Sequence, residues 1–325
     1  MVIREITAEG RPGYDGSSVM YGSIFTGPEW SGLFGDRIAR YGLYAGGGLI
    51  GGFYLYREKR FGLSVCCNPP LTPSTGLFFR DDTKNPAKAM DKSKEVMSLM
   101  AEFIDGMNYP LVSLSFDKDT VDMQPFIWRD FKVVPQYTYV MDLSRSGDDI
   151  WRGMSGEKRN DITRAAKDGL EVRKINDYAI VKSLVQKTFS RQKKEIEGSG
   201  LNGSMNKVLF DFANEDNSFA FAAFGKDGPV ACTFCVHDGK TAYYLLGGYD
   251  SARRHHGAGA MCIWESILHA KRSLSLPYFD FEGSMVRSIE RYFRGFGGRL
   301  TPYYRVNKAR LPIEIALKFF KRRLF

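Results

Sequence analysis

Residues 241–283 leave this chain little freedom in what it can become. Thr241 to Gly248 is an aromatic and aliphatic run, Arg254 to Gly259 carries two glycines, a helical period follows, and Tyr278 to Phe281 returns to strand-like sequence. Strand, glycine turn, helix, strand is a βαβ unit, and it predicts that both strands lie in one sheet. In the helix, apolar residues at 260, 261, 264, 267 and 268 predict the buried stripe, with Glu265, His269 and Arg272 opposite. Glycines at 257 and 259 let the first backbone N–H groups approach an anion closely, where the helix dipole also favours negative charge. An ordinary strand-to-helix turn would use the same residues.

At 325 residues the chain is long for one domain. Charge suggests where to divide it. Residues 1–144 carry 15 Lys and Arg against 17 Asp and Glu, whereas residues 145–325 carry 31 against 20. The expected domains are therefore 1–144 and 145–325, the second basic enough to attract an anionic ligand. No apolar run reaches the roughly 18 residues of a membrane span, and the N-terminus lacks the pattern of a signal peptide, so a cytoplasmic protein is expected. Five cysteines suit a reducing compartment. Cys232 and Cys235 fall in a strand, where residues three apart face opposite sides and cannot share a metal. No metal site is expected, and no DNA partner.

Ahead of the βαβ unit the pattern predicts a hairpin of strands 41–46 and 49–57, a third strand at 61–66, and an irregular loop at 68–76 containing Pro69, Pro70 and Pro73. Asn85-Pro86 predicts a helix start, with its stripe at Val96, Met97, Met100, Phe103, Ile104 and Met107. Strand 111–116, a short helix 121–128 and strand 131–143 complete the first half. The second half predicts helix 155–168, capped by Ser155 and ended at Gly169, then strand 170–174, helix 177–191, a polar loop 192–203 and helix 205–213. Strands 219–224, 230–237 and 241–248 precede the βαβ unit; helix 285–294, strand 300–306 and a helix from Pro312 close the chain. Lys158 and Arg159 lie in the first turn of helix 155–168, where the dipole prefers acids. An anion held there would account for them, as would a solvated face.

Arg254-x-x-Gly257-x-Gly259 resembles the pyrophosphate turn of the GCN5-related N-acetyltransferases (GNATs). The whole chain resembles the FemA/FemB/FemX peptidoglycan-bridge aminoacyltransferases, through Pro69 to Pro73, Pro125 to Trp128 with Tyr137 to Tyr139, Lys158 to Ile162, and Phe279 to Ser284 with Phe293 to Gly298. That likeness implies an α/β (α+β) protein of two tandem GNAT-like domains, each a mixed central sheet flanked by helices. It departs in two places: no long helical hairpin interrupts the second half, and the family's Phe-Lys pair stands here as Phe293-Arg294, which keeps charge without geometry.

The resemblance implies an N-acyltransferase with the activated acyl group between two splayed central strands, 241–248 and 278–281. The acceptor would be an amine on a cell-envelope precursor. Acyl-CoA transfer to a small amine or amino sugar, and a non-catalytic module for a nucleotide-linked glycan, are the alternatives. The donor is acyl-CoA or aminoacyl-tRNA, with no permanently bound cofactor. Arg254, His255, His256, Gly257, Ala258 and Gly259 are the expected donor-phosphate residues. Glu282 or Asp280 is the candidate base, or else a partner of Arg287, Arg291 or Arg294; alternation puts Tyr278, Asp280 and Glu282 on one side. Arg294 would bind phosphate or developing charge and Tyr292 would donate a proton. Lys158, Arg159 and Phe293 are the expected acceptor or anion contacts. The last helix has Ile313, Ala316, Leu317, Phe320 and Leu324 on one face and Lys318, Lys321 and Arg322 on the other. It would dock that face on its own domain, or lie peripherally on the inner membrane face.

Overall fold

The computed structural model describes residues 1–60, 62–191, 201–253, 255–283 and 285–320. They form two compact units, Met1–Gln136 with Pro302–Phe325, and Tyr137–Thr301.

In the first unit the chain makes β1 (Val2–Glu5), α1 (Arg11–Tyr21), α2 (Pro28–Gly32), β2 (Ile38–Ala45), β3 (Gly48–Arg60), β4 (Leu63–Cys67), β5 (Phe78–Phe79), α3 (Pro86–Gly106), β6 (Leu111–Ser115) and α4 (Gln124–Ile127). The β2–β3 hairpin turns at Gly46 and Gly47, whose φ of +57° and +82° only glycine adopts freely. Asn85 caps α3 by accepting from Lys88 N–H at 3.2 Å, and Pro86 takes the first helical position. Val96, Met97, Met100 and Ile104 are buried, as their period predicts.

The second unit takes most of β7 (Lys132–Asp142), then α5 (Gly147–Gly153), α6 (Gly156–Lys167), β8 (Glu171–Ile175), α7 (Tyr178–Arg191), α8 (Leu201–Asn206), β9 (Ser218–Gly225), β10 (Gly228–His237), β11 (Thr241–Tyr249), α9 (Ala258–Arg272), β12 (Tyr278–Asp280) and α10 (Arg287–Arg294). Its strands run in the order β7-β12-β11-β10-β9-β8. Only β11 and β12 are parallel, as the βαβ reading requires. Ser155 caps α6 through Lys158 N–H at 3.2 Å, and Gly169 ends it at φ +81°.

The chain ends with β13 (Arg299–Ala309) and α11 (Leu311–Phe320). The expected division keeps residues 302–325 with the second half. Here β13 pairs antiparallel with β6, from Arg305 opposite Ser115 to Ala309 opposite Leu111, and so belongs largely to the first unit.

The buried face of α9 differs from the expected stripe. The side chains it buries are Ala258, Ala260, Cys262, Ile263, Ser266, Ile267 and Ala270, while Met261, Trp264 and Leu268 are only half-buried. The helix is covered on more than one side: Ser266 and Thr233 of β10 share a buried hydroxyl hydrogen bond of 2.8 Å, a contact that apolar periodicity does not register. All five thiols are free and buried, and burial pushes that of Cys232 up to about 12. Among the described residues no group of three His, Cys, Asp or Glu could hold a metal ion, and no helix is long and apolar enough to cross a membrane.

Candidate active site

The parallel pair β11–β12 is short. Thr241, Ala242 and Tyr243 face Tyr278, Phe279 and Asp280, after which β12 stops while β11 runs on to Tyr249. The chain is drawn away at that point. Phe281 N–H donates to Tyr139 O at 3.0 Å, and Glu282 and Gly283 both take left-handed backbone, φ +56° and +68°. Asp280 holds this turn: its buried carboxylate accepts from the Thr138 hydroxyl at 2.6 Å and from Glu282 N–H at 2.9 Å. The strand alternation that grouped Glu282 with Asp280 therefore ends one residue too soon. Asp280 shapes the turn, and Glu282 is presented by it.

A cavity of about 1070 Å³ opens where the strands part. Its walls include Tyr244, Leu245, Gly247 and Tyr249 of β11, Thr188 and Phe189 of α7, Gly259 and Ile263 of α9, Phe281, Glu282, and Ser288, Ile289, Tyr292 and Phe293 of α10. Beside it β11 is irregular. Cys235 is opposite Tyr244 but Phe234 is opposite Leu246, which makes Leu245 the extra residue of a bulge. The Tyr244 ring turns along the strand, so that a Cβ at Gly247 would lie 1.7 Å from its hydroxyl oxygen. Phe293 holds the ring edge-on at 5.5 Å. Burial raises the Tyr244 phenol well above its usual range and raises Tyr292 likewise, so both stay protonated near neutral pH.

The glycine turn at the start of α9 is built for two different contacts. A Cβ at Gly257 would lie 2.0 Å from the Asp161 carbonyl oxygen of α6, so this glycine serves a helix-to-helix approach. A Cβ at Gly259 would meet only the Tyr292 hydroxyl, at 3.1 Å, and Gly259 lines the cavity. Neither glycine has a positive φ. His255 Nδ1 accepts from Gly257 N–H at 3.2 Å, which leaves Nε2 to donate to Asp168 at 3.0 Å. His255 and His256 line the cavity, Ala258 is fully buried, and Arg254 lies outside the described residues.

The remaining expected residues gather elsewhere. Lys158 and Arg294 line a smaller cavity of about 340 Å³ with Ser155, Glu157, Arg291 and Gly295; Tyr292 and Ser288 border both cavities. Lys158 is not the exposed cation that its place in the first turn suggests. It is buried, 3.1 Å from Asp161, with its ammonium 4.3 Å above the Tyr292 ring. Arg294 pairs with Glu290 at 3.2 Å, and Glu290 accepts from the Tyr139 hydroxyl at 2.7 Å. Arg159 keeps a buried Nε without a partner. Phe293 is a buried wall of the main cavity, packed on Tyr244 and Phe281.

A parted parallel pair and a glycine turn opening the next helix are the features that the GNAT resemblance implies; the bulge in β11 is an addition to them. Residues 156–294 match the family model described as an acetyltransferase (GNAT) domain. The second unit carries a GNAT domain. By class the chain is an acyltransferase. Its fold extends to the full length of a solved structure titled "Crystal structure of FemX", with a TM-score of 0.67 at 13% identity over 98% of this chain and 99% of that one. The structure of L-PGS from Bacillus licheniformis is similar at TM-score 0.55 and 13% identity, covering 97% of this chain and 96% of that one. A tandem GNAT protein from the clavulanic acid biosynthesis pathway gives 0.51 at 9% identity, covering 83% and 82%. The tandem GNAT architecture expected from the sequence is thus borne out as a fold. No curated protein matches the sequence.

Sequence reasoning missed Tyr244, Leu245 and the α7 wall. The signal was present in Gly247-Gly248. Paired glycines inside a strand mark close approach, and a Cβ at Gly248 would lie 2.6 Å from Leu184 of α7.

Proposed function

We propose that the protein is an N-acyltransferase of FemAB type that moves an acyl group from acyl-CoA to an amine on a cell-envelope, peptidoglycan-type precursor. The observation that carries this reading is the parting of β11 and β12 beside the first turn of α9. A thioester entering the cleft can pair with the open edge of β11 while its diphosphate meets the backbone N–H groups near Gly259. Gly259 lines the cavity with no side chain of its own, and the Tyr292 hydroxyl is the near neighbour of the place a Cβ would take. The GNAT domain favours acyl-CoA over aminoacyl-tRNA, and the full-length likeness to FemX motivates the acceptor.

In this reading the acceptor amine enters beside Glu282, which takes its proton as nitrogen attacks the thioester carbonyl. The C–N bond forms, the C–S bond breaks, and the departing sulfur takes a proton from Tyr292, whose hydroxyl faces Gly259. The Lys158 ammonium over the Tyr292 ring fixes that phenol in place. Much of the rate comes from holding amine and thioester together, because attack on a thioester is already feasible. A product-detection assay offering acetyl-CoA and aminoacyl-tRNA, each with nucleotide-linked peptidoglycan precursors or glucosamine, tests the proposal. Acylated precursor formed only with acyl-CoA supports it. Acylated glucosamine alone would move the acceptor to small amino sugars, and product formed only from tRNA would overturn the donor.

A further inference from the structure

The last helix, α11, has two apolar faces. Of the face expected to dock, Ile313 and Leu317 are half-buried and Ala316 is exposed, while the Phe320 side chain and Leu324 lie outside the described residues. On the opposite side Leu311, Ile315 and Phe319, spaced four apart, are 69%, 48% and 83% exposed. The sequence reading assigned this second side to lysine and arginine only, and missed the stripe between them. Residues 308–325 carry six Lys and Arg against one Glu; Lys308 pairs with Asp105 and Lys318 with Glu314 at 2.6 Å, and Lys321, Arg322 and Arg323 lie outside the described residues. An open apolar stripe on a segment that is basic in sequence is complementary to a bilayer with anionic headgroups. There the apolar side chains enter the acyl boundary and the long basic ones reach back to the phosphates.

We infer that the outer face of α11 is a peripheral membrane anchor for anionic lipid. It holds the enzyme at the surface without spanning it, in keeping with the absence of a spanning helix among the described residues. The inference is independent of the donor and acceptor of the proposed reaction.

Co-sedimentation with phosphatidylcholine vesicles, with and without phosphatidylglycerol, tests it. The wild type should bind the anionic vesicles, bind the neutral ones weakly, and be released by salt. Phe319→Glu should weaken vesicle binding on the order of tenfold or more, and Lys318→Ala about fivefold. Neither should change the thermal midpoint or turnover with a soluble acceptor. No binding to anionic vesicles, or equal binding by folded Phe319→Glu, would overturn the inference. So would light scattering showing a dimer that Phe319→Glu dissociates, because the stripe would then belong to a second copy of the chain.

Discussion

Glu282 has the most unusual backbone of the residues that face the cleft. A left-handed conformation costs a non-glycine residue roughly 1–2 kcal/mol, and such outliers invite a functional hypothesis. Glu282→Gln keeps the side-chain shape and should lower kcat by ~10²–10⁴-fold with KM nearly unchanged. Glu282→Gly should lose the same activity while its thermal midpoint holds or rises, since glycine accepts this φ without strain. A fall in midpoint for both, with near-normal turnover, would make Glu282 a structural ion-pair partner. Tyr244 and Gly247 can be tested together. Gly247→Ala crowds the phenol and should destabilise by about 1–3 kcal/mol. Adding Tyr244→Phe removes the worse of two clashing atoms and leaves the ring carbon at 2.8 Å, so the double variant should lose less than the two single losses combined. Strict additivity in denaturant melts would contradict that geometry. The acids at 280 and 282 were legible as candidates, but their division of labour was not. Alternation holds only while a strand lasts, and β12 is three residues long.

At the scale of elements, capped and punctuated segments were the readable ones. Asn85-Pro86 and Ser155 begin helices where their chemistry says they should, and Gly169 ends one. Helix α1 was not read, because Pro12, Gly13 and Gly16 weaken the helical signal and its order comes from packing on β3. The buried face of α9 departs from its apolar period because Ser266 and Cys262 are buried there. The two glycines of its turn should now separate. Gly257→Ala forces α6 and α9 apart and should lower the thermal midpoint, whereas a substitution at Gly259 should spare it. Equal midpoints would contradict the α6–α9 contact. On the far side of α9, burial between Phe219 and Phe221 lowers the His269 imidazole from 6.5 to about 4, with Lys174 and His237 adding repulsion. The folded protein thus binds this proton less readily than the unfolded chain. Stability from the neutral ring is complete above about 6.5 and is lost as pH falls towards about 4. His269→Gln should flatten the stability profile across that window, and an unchanged acid slope would show that the ring does not titrate with unfolding.

For the molecule as a whole, the tandem architecture was readable because short motifs recur along nearly its full length. The pairing of β13 with β6 was not, since strand partners far apart in sequence leave no periodic trace. The proposed donor site is the cleft between β11 and β12, with the backbone at Gly259 as its phosphate end. Calorimetric titration with coenzyme A measures it directly, on the wild type and on Gly259→Val. The wild type should bind saturably, one molecule per chain. The variant should keep its thermal midpoint and lose at least about tenfold in affinity, or roughly 1.4 kcal/mol. A wild type that gives no saturable binding, or a folded variant that binds equally well, would contradict the claim.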